Sequence, residues 1–150
     1  MSLTDTGAWS ADWVWGIALI LTTIVTHVVC IGFINEKITV IANDPARHHR
    51  PRVTFFLIVG TVTILLALLL GAEGAAWALV YRFLDALPDF RSAMLYSIGA
   101  MTSYGHADVL LASEWQMMGP LEALNGMLLF GLTAAFLYAV MQKCWLIKRH

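Results

Sequence analysis

Three long runs of this chain are almost free of charge, and they dictate most of what it can fold into. Residues 13–35 and 53–72 hold no Asp, Glu, Lys or Arg, and residues 115–142 hold only Glu122. Each run reaches the roughly 20 apolar residues that a helix needs to cross bilayer hydrocarbon. The alternative, a buried helical bundle in a soluble protein, requires a polar exterior. With 59% hydrophobic and 13% charged residues over 150 positions, the three runs leave almost no sequence to build one. The sequence therefore predicts an all-α membrane protein with three transmembrane helices. The first run does not read as a cleaved signal peptide, because residues 1–11 lack Lys and Arg and the run continues past signal-peptide length.

Positive charge predicts the orientation, since Lys and Arg in short loops stay on the cytoplasmic side. Lys37, Arg47, Arg50 and Arg52 follow the first run, and Lys143, Lys148 and Arg149 follow the last. The N-terminal segment has Asp5 and Asp12 with no base, and residues 82–114 carry four acids against two arginines. An N-terminus outside and a C-terminus in the cytoplasm satisfy all four segments. Cys30 and Cys144 fall at different depths, so no disulfide is expected.

The chain reads as a single membrane domain over residues 1–150, with no repeat and no low-complexity linker. Its parts are an N-terminal span at 13–35 and a second helix at 53–81, about 40 Å long at helical rise. Leu87-Pro88-Asp89 is a stop followed by a helix start with Asp89 as N-cap. The next segment, 90–101, has only 12 residues. It is too short to cross and so is expected to be re-entrant or interfacial. Residues 102–108, Thr-Ser-Tyr-Gly-His-Ala-Asp, then break the apolar pattern. Non-helical backbone at membrane depth is tolerated only where protein buries it or it lines a water-filled path. Gly119-Pro120 opens the last helix, 120–142, whose Gly126, Gly131, Ala134 and Ala135 favour close packing over a gating bend.

The order apolar helix, short helix, Thr-Ser-Tyr-Gly-His-Ala-Asp, apolar helix resembles the pore module of the potassium channel superfamily, whose filter reads Thr-Val-Gly-Tyr-Gly followed by Asp. It looks most like the small bacterial members of the potassium channel or two-pore-domain channel family. In those a stretch like Gly-Pro-Leu-Glu-Ala-Leu-Asn-Gly-Met-Leu-Leu-Phe-Gly, here 119–131, follows the filter. The likeness covers about residues 53–142. Aligned on the acid, Ser103 takes the filter Thr slot, Tyr104 the Val slot, Gly105 the first Gly, His106 the Tyr slot and Ala107 the second Gly. A rival register pairs Tyr104-Gly105 with Tyr-Gly.

The resemblance implies a re-entrant pore helix at 90–101 and a filter loop between the second and third spans, conducting a monovalent cation, K⁺ foremost. Thr102 and Ser103 would offer hydroxyl and carbonyl ligands, Tyr104, Gly105, His106 and Ala107 carbonyls, and Asp108 the outer mouth. One pore segment per chain cannot close a four-sided filter, so a homotetramer in the lipid bilayer is implied, with the last helix lining the pore and the first as a peripheral addition. Filter residues must alternate in handedness to aim their carbonyls at one axis. Gly105 does so freely, whereas a left-handed Ala107 costs roughly 1–2 kcal/mol. Weak or unusual selectivity is therefore expected, and a non-conducting pore-fold scaffold or accessory subunit is the alternative.

Glu73 and Glu122 either contact headgroups or pair with Arg82 or Arg91 near a boundary, or brace the filter from behind. His106 would titrate in the outer mouth. His27 reads as an interhelical residue ahead of an ion ligand, and His48-His49 as basic juxtamembrane surface ahead of a metal site. Trp9, Trp13, Trp15, Trp115 and Trp145 mark span ends. No Arg repeat of a voltage sensor, nucleophile–base pair, metal-ligand spacing or phosphate loop is present. Neither an enzyme, a resident cofactor nor a nucleic-acid partner is expected.

Overall fold

The punctuation in the sequence decides where the helices stop. The computed structural model describes residues 3–42, 51–105 and 109–147, which form α1 (Leu3–Ala42), α2 (Pro51–Phe83), α3 (Phe90–Met101) and α4 (Met118–Ile147), with one 3-10 turn at Ser113–Trp115. The described residues contain no strand. Three segments, Ser10–Val40, Val53–Phe83 and Ser113–Cys144, are long and apolar enough to cross a membrane. α1 far exceeds its uncharged run. Its 40 residues extend about 60 Å, because flanking polar residues continue the backbone hydrogen bonding at no cost to the helix.

α2 ends in a Schellman turn. Ala86 N–H reaches back to Tyr81 O and Asp85 N–H to Arg82 O, with Asp85 in the left-handed region at φ 51°. Arg82 closes the same corner by donating to Leu87 O at 2.5 Å. Pro88 prevents continuation, and Asp89 caps α3 by accepting from Ser92 N–H at 2.9 Å and the Ser92 hydroxyl at 2.7 Å. Those bonds favour the ionised Asp89 carboxyl and hold its pKa below the usual carboxylate range. The cap is the one expected from Leu-Pro-Asp.

α3 lies in the fork between α2 and α4, while α1 packs chiefly along α4 and only secondarily on α2. The buried interior is layered along the bundle. One apolar cluster gathers Trp77, Ala78, Tyr81, Ala93, Met118 and Leu121. The other, at the far end, gathers Ile38, Val62, Leu66, Val140 and Cys144. Between them lie the buried polar side chains Thr23, His27, Glu73, Asn125 and Thr133. Cys30 and Cys144 are free thiols. Trp13 and Trp15 are exposed, but Trp77, absent from the boundary pattern, is wholly buried. The side chains of Trp9 and Trp145, and all of His48 and His49, lie outside the described residues.

Candidate functional site

The segment that follows α3 is built as a helix stop. Thr102 is the C-cap, Tyr104 N–H donates to Gly99 O at 2.9 Å and Ser103 N–H to Ala100 O at 2.9 Å. This is a second Schellman turn, with Ser103 as its left-handed residue at φ 56°. Gly105 is left-handed too, at φ 75°, so positive φ recurs at alternate positions across 103–105. The Thr102 hydroxyl folds back onto Ile98 O at 2.7 Å. The terminal carbonyls of α3 at Ile98, Gly99 and Ala100 are therefore already occupied. Thr102, Ser103, Tyr104 and Gly105 are all exposed on the single chain, Tyr104 by 86%. His106, Ala107 and Asp108 lie outside the described residues. Beside the segment is a groove of about 270 Å³ between Tyr96 and Ala100 of α3, Ser103, Gly105, and Pro120 and Ala123 of α4.

What seats α3 is contact at backbone level on one side and hydrogen bonds on the other. A Cβ at Gly126 would collide with the backbone of Met101, so α4 admits the last turn of α3 only because residue 126 is glycine. Gly74 of α2 is approached less closely, with the Met101 and Ser97 side chains 3.3 and 3.4 Å from where its Cβ would stand. Ser97 of α3 bonds Gly74 O at 2.7 Å and also Glu122 Oε1, and Tyr81 Oη donates to Glu122 Oε2 at 2.6 Å. Ser97 has one hydroxyl proton for two acceptors. Both contacts are hydrogen bonds together only when Glu122 carries a proton and donates it to Ser97 Oγ. Tyr81 is further fixed by an edge-on contact with the Tyr96 ring, centroids 5.5 Å apart.

Glu73 and Glu122 are both buried, and neither pairs with Arg82 or Arg91 or reaches the surface. This corrects the headgroup and arginine readings. The partners are side chains on other helices, none of them Lys or Arg. Glu122 binds Tyr81 and Ser97. Glu73 binds His27, whose Nδ1 lies 3.0 and 3.2 Å from its two oxygens, and His27 Nε2 lies 3.1 Å from Thr133 Oγ1. His27 is accordingly an interhelical residue. Asn125 Nδ2 donates to Thr23 Oγ1 at 3.0 Å, and the Thr23 hydroxyl in turn serves Leu19 O at 2.9 Å. Asp12, also buried, takes the Met117 N–H ahead of α4.

Tyr81, Ser97, Thr23, Asn125 and Thr133 are the members that sequence reasoning passed over. Their signal is spacing. Glu122, Asn125, Leu129 and Thr133 recur at three- and four-residue intervals, which places them on one helix face. Among the described residues no cluster of three or more metal-ligating side chains forms. No family model, curated protein or solved structure matches this chain.

Proposed function

We propose that this chain is one subunit of a potassium channel-like cation pore, a homotetramer in a bacterial inner membrane with its N-terminus outside and C-terminus in the cytoplasm. In this reading α3 is the re-entrant pore helix, residues 102–107 form the ion path, Asp108 gathers cations at the outer mouth and α4 lines the inner pore. The observation that carries it is the seating of α3. Its last residue, Met101, abuts Gly126, well inside the long apolar segment of α4, and delivers the exposed polar residues 102–105 at that depth. Polar, non-helical backbone there needs cover from protein or water. Sibling copies around an axis supply both. The Ser97–Glu122–Tyr81 bonds support the loop from behind.

A second reading, a non-conducting pore-fold scaffold or accessory subunit, draws support from Ser103. Its left-handed conformation serves to end α3, and the turn's own N–H groups occupy carbonyls that would otherwise face a cation. Ion flux into liposomes holding the purified protein separates the two. Uptake of K⁺ or Rb⁺ that depends on residues 102–107 supports the pore. Absence of K⁺, Rb⁺ and Na⁺ flux across a range of pH leaves the scaffold.

A further inference from the structure

The layer between the two apolar clusters holds titratable groups that ion passage along 102–108 does not use. Three helices meet there at one imidazole. His27 of α1 is wholly buried, with Glu73 of α2 against Nδ1 and Thr133 of α4 against Nε2. Glu73 is the titratable group facing it from α2. α4 presents Thr133 and, farther along, Asn125, neither of which titrates, and α1 itself adds Thr23, bound to Asn125. On α3, Ser97 is engaged with Gly74 O, the carbonyl of the residue after Glu73, and with Glu122. Among the described residues no Lys or Arg pairs with Glu73.

We propose that His27 and Glu73 form a proton-binding site within the membrane whose occupancy sets how tightly α1 docks against α2 and α4. The pair exists in two charge states that differ by one proton. With the proton bound, as imidazolium and carboxylate or imidazole and carboxylic acid, it is neutral overall. Without it, it carries one net negative charge. Thr133 serves the ionised pair and the deprotonated pair alike: its oxygen accepts from Nε2–H, and its hydroxyl donates to a bare Nε2. Nothing in the hydrogen-bond geometry therefore forbids either state. What changes is the charge, and among the described residues no Lys or Arg pairs with it between the two apolar clusters. An uncompensated buried charge disfavours the packing that buries it. α1 is the helix that yields, because loosening its contact lets water reach the pair and relieves the buried charge while α3 stays seated on Gly126.

This inference rests on the helix packing and not on conduction, so its test reads distance and not flux. In full-length protein in lipid nanodiscs, with Cys30→Ser and Cys144→Ala, spin labels go on Val25→Cys of α1 and Met127→Cys of α4. Both positions are exposed. Labelled chains are diluted with unlabelled ones so that distances within one chain dominate. Between mildly acidic and alkaline pH, the label separation should lengthen and broaden reversibly on the alkaline side. Glu73→Gln should reverse the sign, because that pair carries net charge only when His27 is protonated, so its loosening moves to the acid side. His27→Asn should keep the alkaline transition through Glu73 alone, and it decides the matter if the Gln variant does not fold. A distance independent of pH in the unsubstituted pair, or the same pH response in Glu73→Gln, overturns the proposal. So does loss of the alkaline transition in His27→Asn.

Discussion

Tyr81 and Glu122 meet phenol to carboxyl at 2.6 Å across the α2–α4 interface, and both are wholly buried. Because the other Glu122 oxygen meets Ser97, this one carboxyl ties three helices together. Tyr81→Phe strips a donor from a buried acceptor, which costs about 1–3 kcal/mol. Glu122→Leu leaves the Tyr81 hydroxyl without its acceptor and also removes the bond to Ser97, which keeps only Gly74 O, and should cost more. Glu122→Gln is the informative variant, since its amide donates to Ser97 and accepts from Tyr81 as the protonated acid does. It should retain most of the stability, with a loss below about 1 kcal/mol. Thermal unfolding in detergent, followed by circular dichroism, should rank Glu122→Gln as the most stable of the three, then Tyr81→Phe, then Glu122→Leu. A Glu122→Gln protein as unstable as Glu122→Leu would show that the clamp needs an ionised carboxylate.

Two glycines of α4 should behave oppositely. A methyl group at Gly126 has the backbone of Met101 in its way, and backbone cannot swing aside as a side chain does. Gly126→Ala should therefore destabilise by at least the roughly 1–3 kcal/mol typical of overpacking, and should displace α3 and abolish whatever flux the protein supports. At Gly131 nothing lies within 4 Å of a Cβ within the chain. Gly131→Ala should be neutral or stabilise the chain by up to about 1 kcal/mol through helix propensity. Unfolding curves of the two variants side by side provide the check.

The helices are legible in the sequence because the rules that make them are local. Uncharged length marks the three long ones, and Leu-Pro-Asp places the start of α3 at its Asp89 cap. The extent of α1 escapes this reading because hydropathy reports where lipid is and not where a helix ends. The pairing of polar groups is not legible. Glu73 and His27 are 46 residues apart, and Thr133 is 106 from His27. Nothing local to any of them names its partner. Ser103 shows the limit differently: an ordinary serine in sequence, it becomes left-handed because the turn that ends α3 requires it.

Asp89 gives the start of α3 a definite response to acid. Its carboxyl accepts the Ser92 N–H and hydroxyl in the folded chain, so its pKa lies below the ordinary value. A group with a depressed folded pKa contributes stability above its unfolded pKa and loses it as pH falls through the folded one. The capping contribution is thus complete at neutral pH and disappears below the ordinary carboxylate range, near pH 4. Hydrogen exchange at the Ser92 amide should accelerate in that window beyond its intrinsic pH dependence. Asp89→Asn keeps an acceptor that does not titrate and should flatten the response, whereas Asp89→Ala should leave the amide unprotected at every pH.

α1 should prove necessary to the remaining three helices. It carries Thr23 and His27, the partners of Asn125 and Glu73, and its Asn35 accepts from Lys143 of α4 at 2.6 Å. A chain beginning after Ala42 would leave a buried amide and a buried carboxyl without partners, and the cost of unsatisfied polar groups grows where water is scarce. The individual bonds are modest. Polar pairs between membrane helices average about 0.6 kcal/mol and reach about 1.7. A double-mutant cycle of Thr23→Val and Asn125→Leu should return a coupling in that range, which would confirm a direct bond. Truncation should cost more than this coupling, because it orphans Asn125 and Glu73 together and strips the α4 face that α1 covers. A 43–150 chain that assembles and unfolds like the intact protein would show that the polar layer between α1 and α4 holds nothing in place.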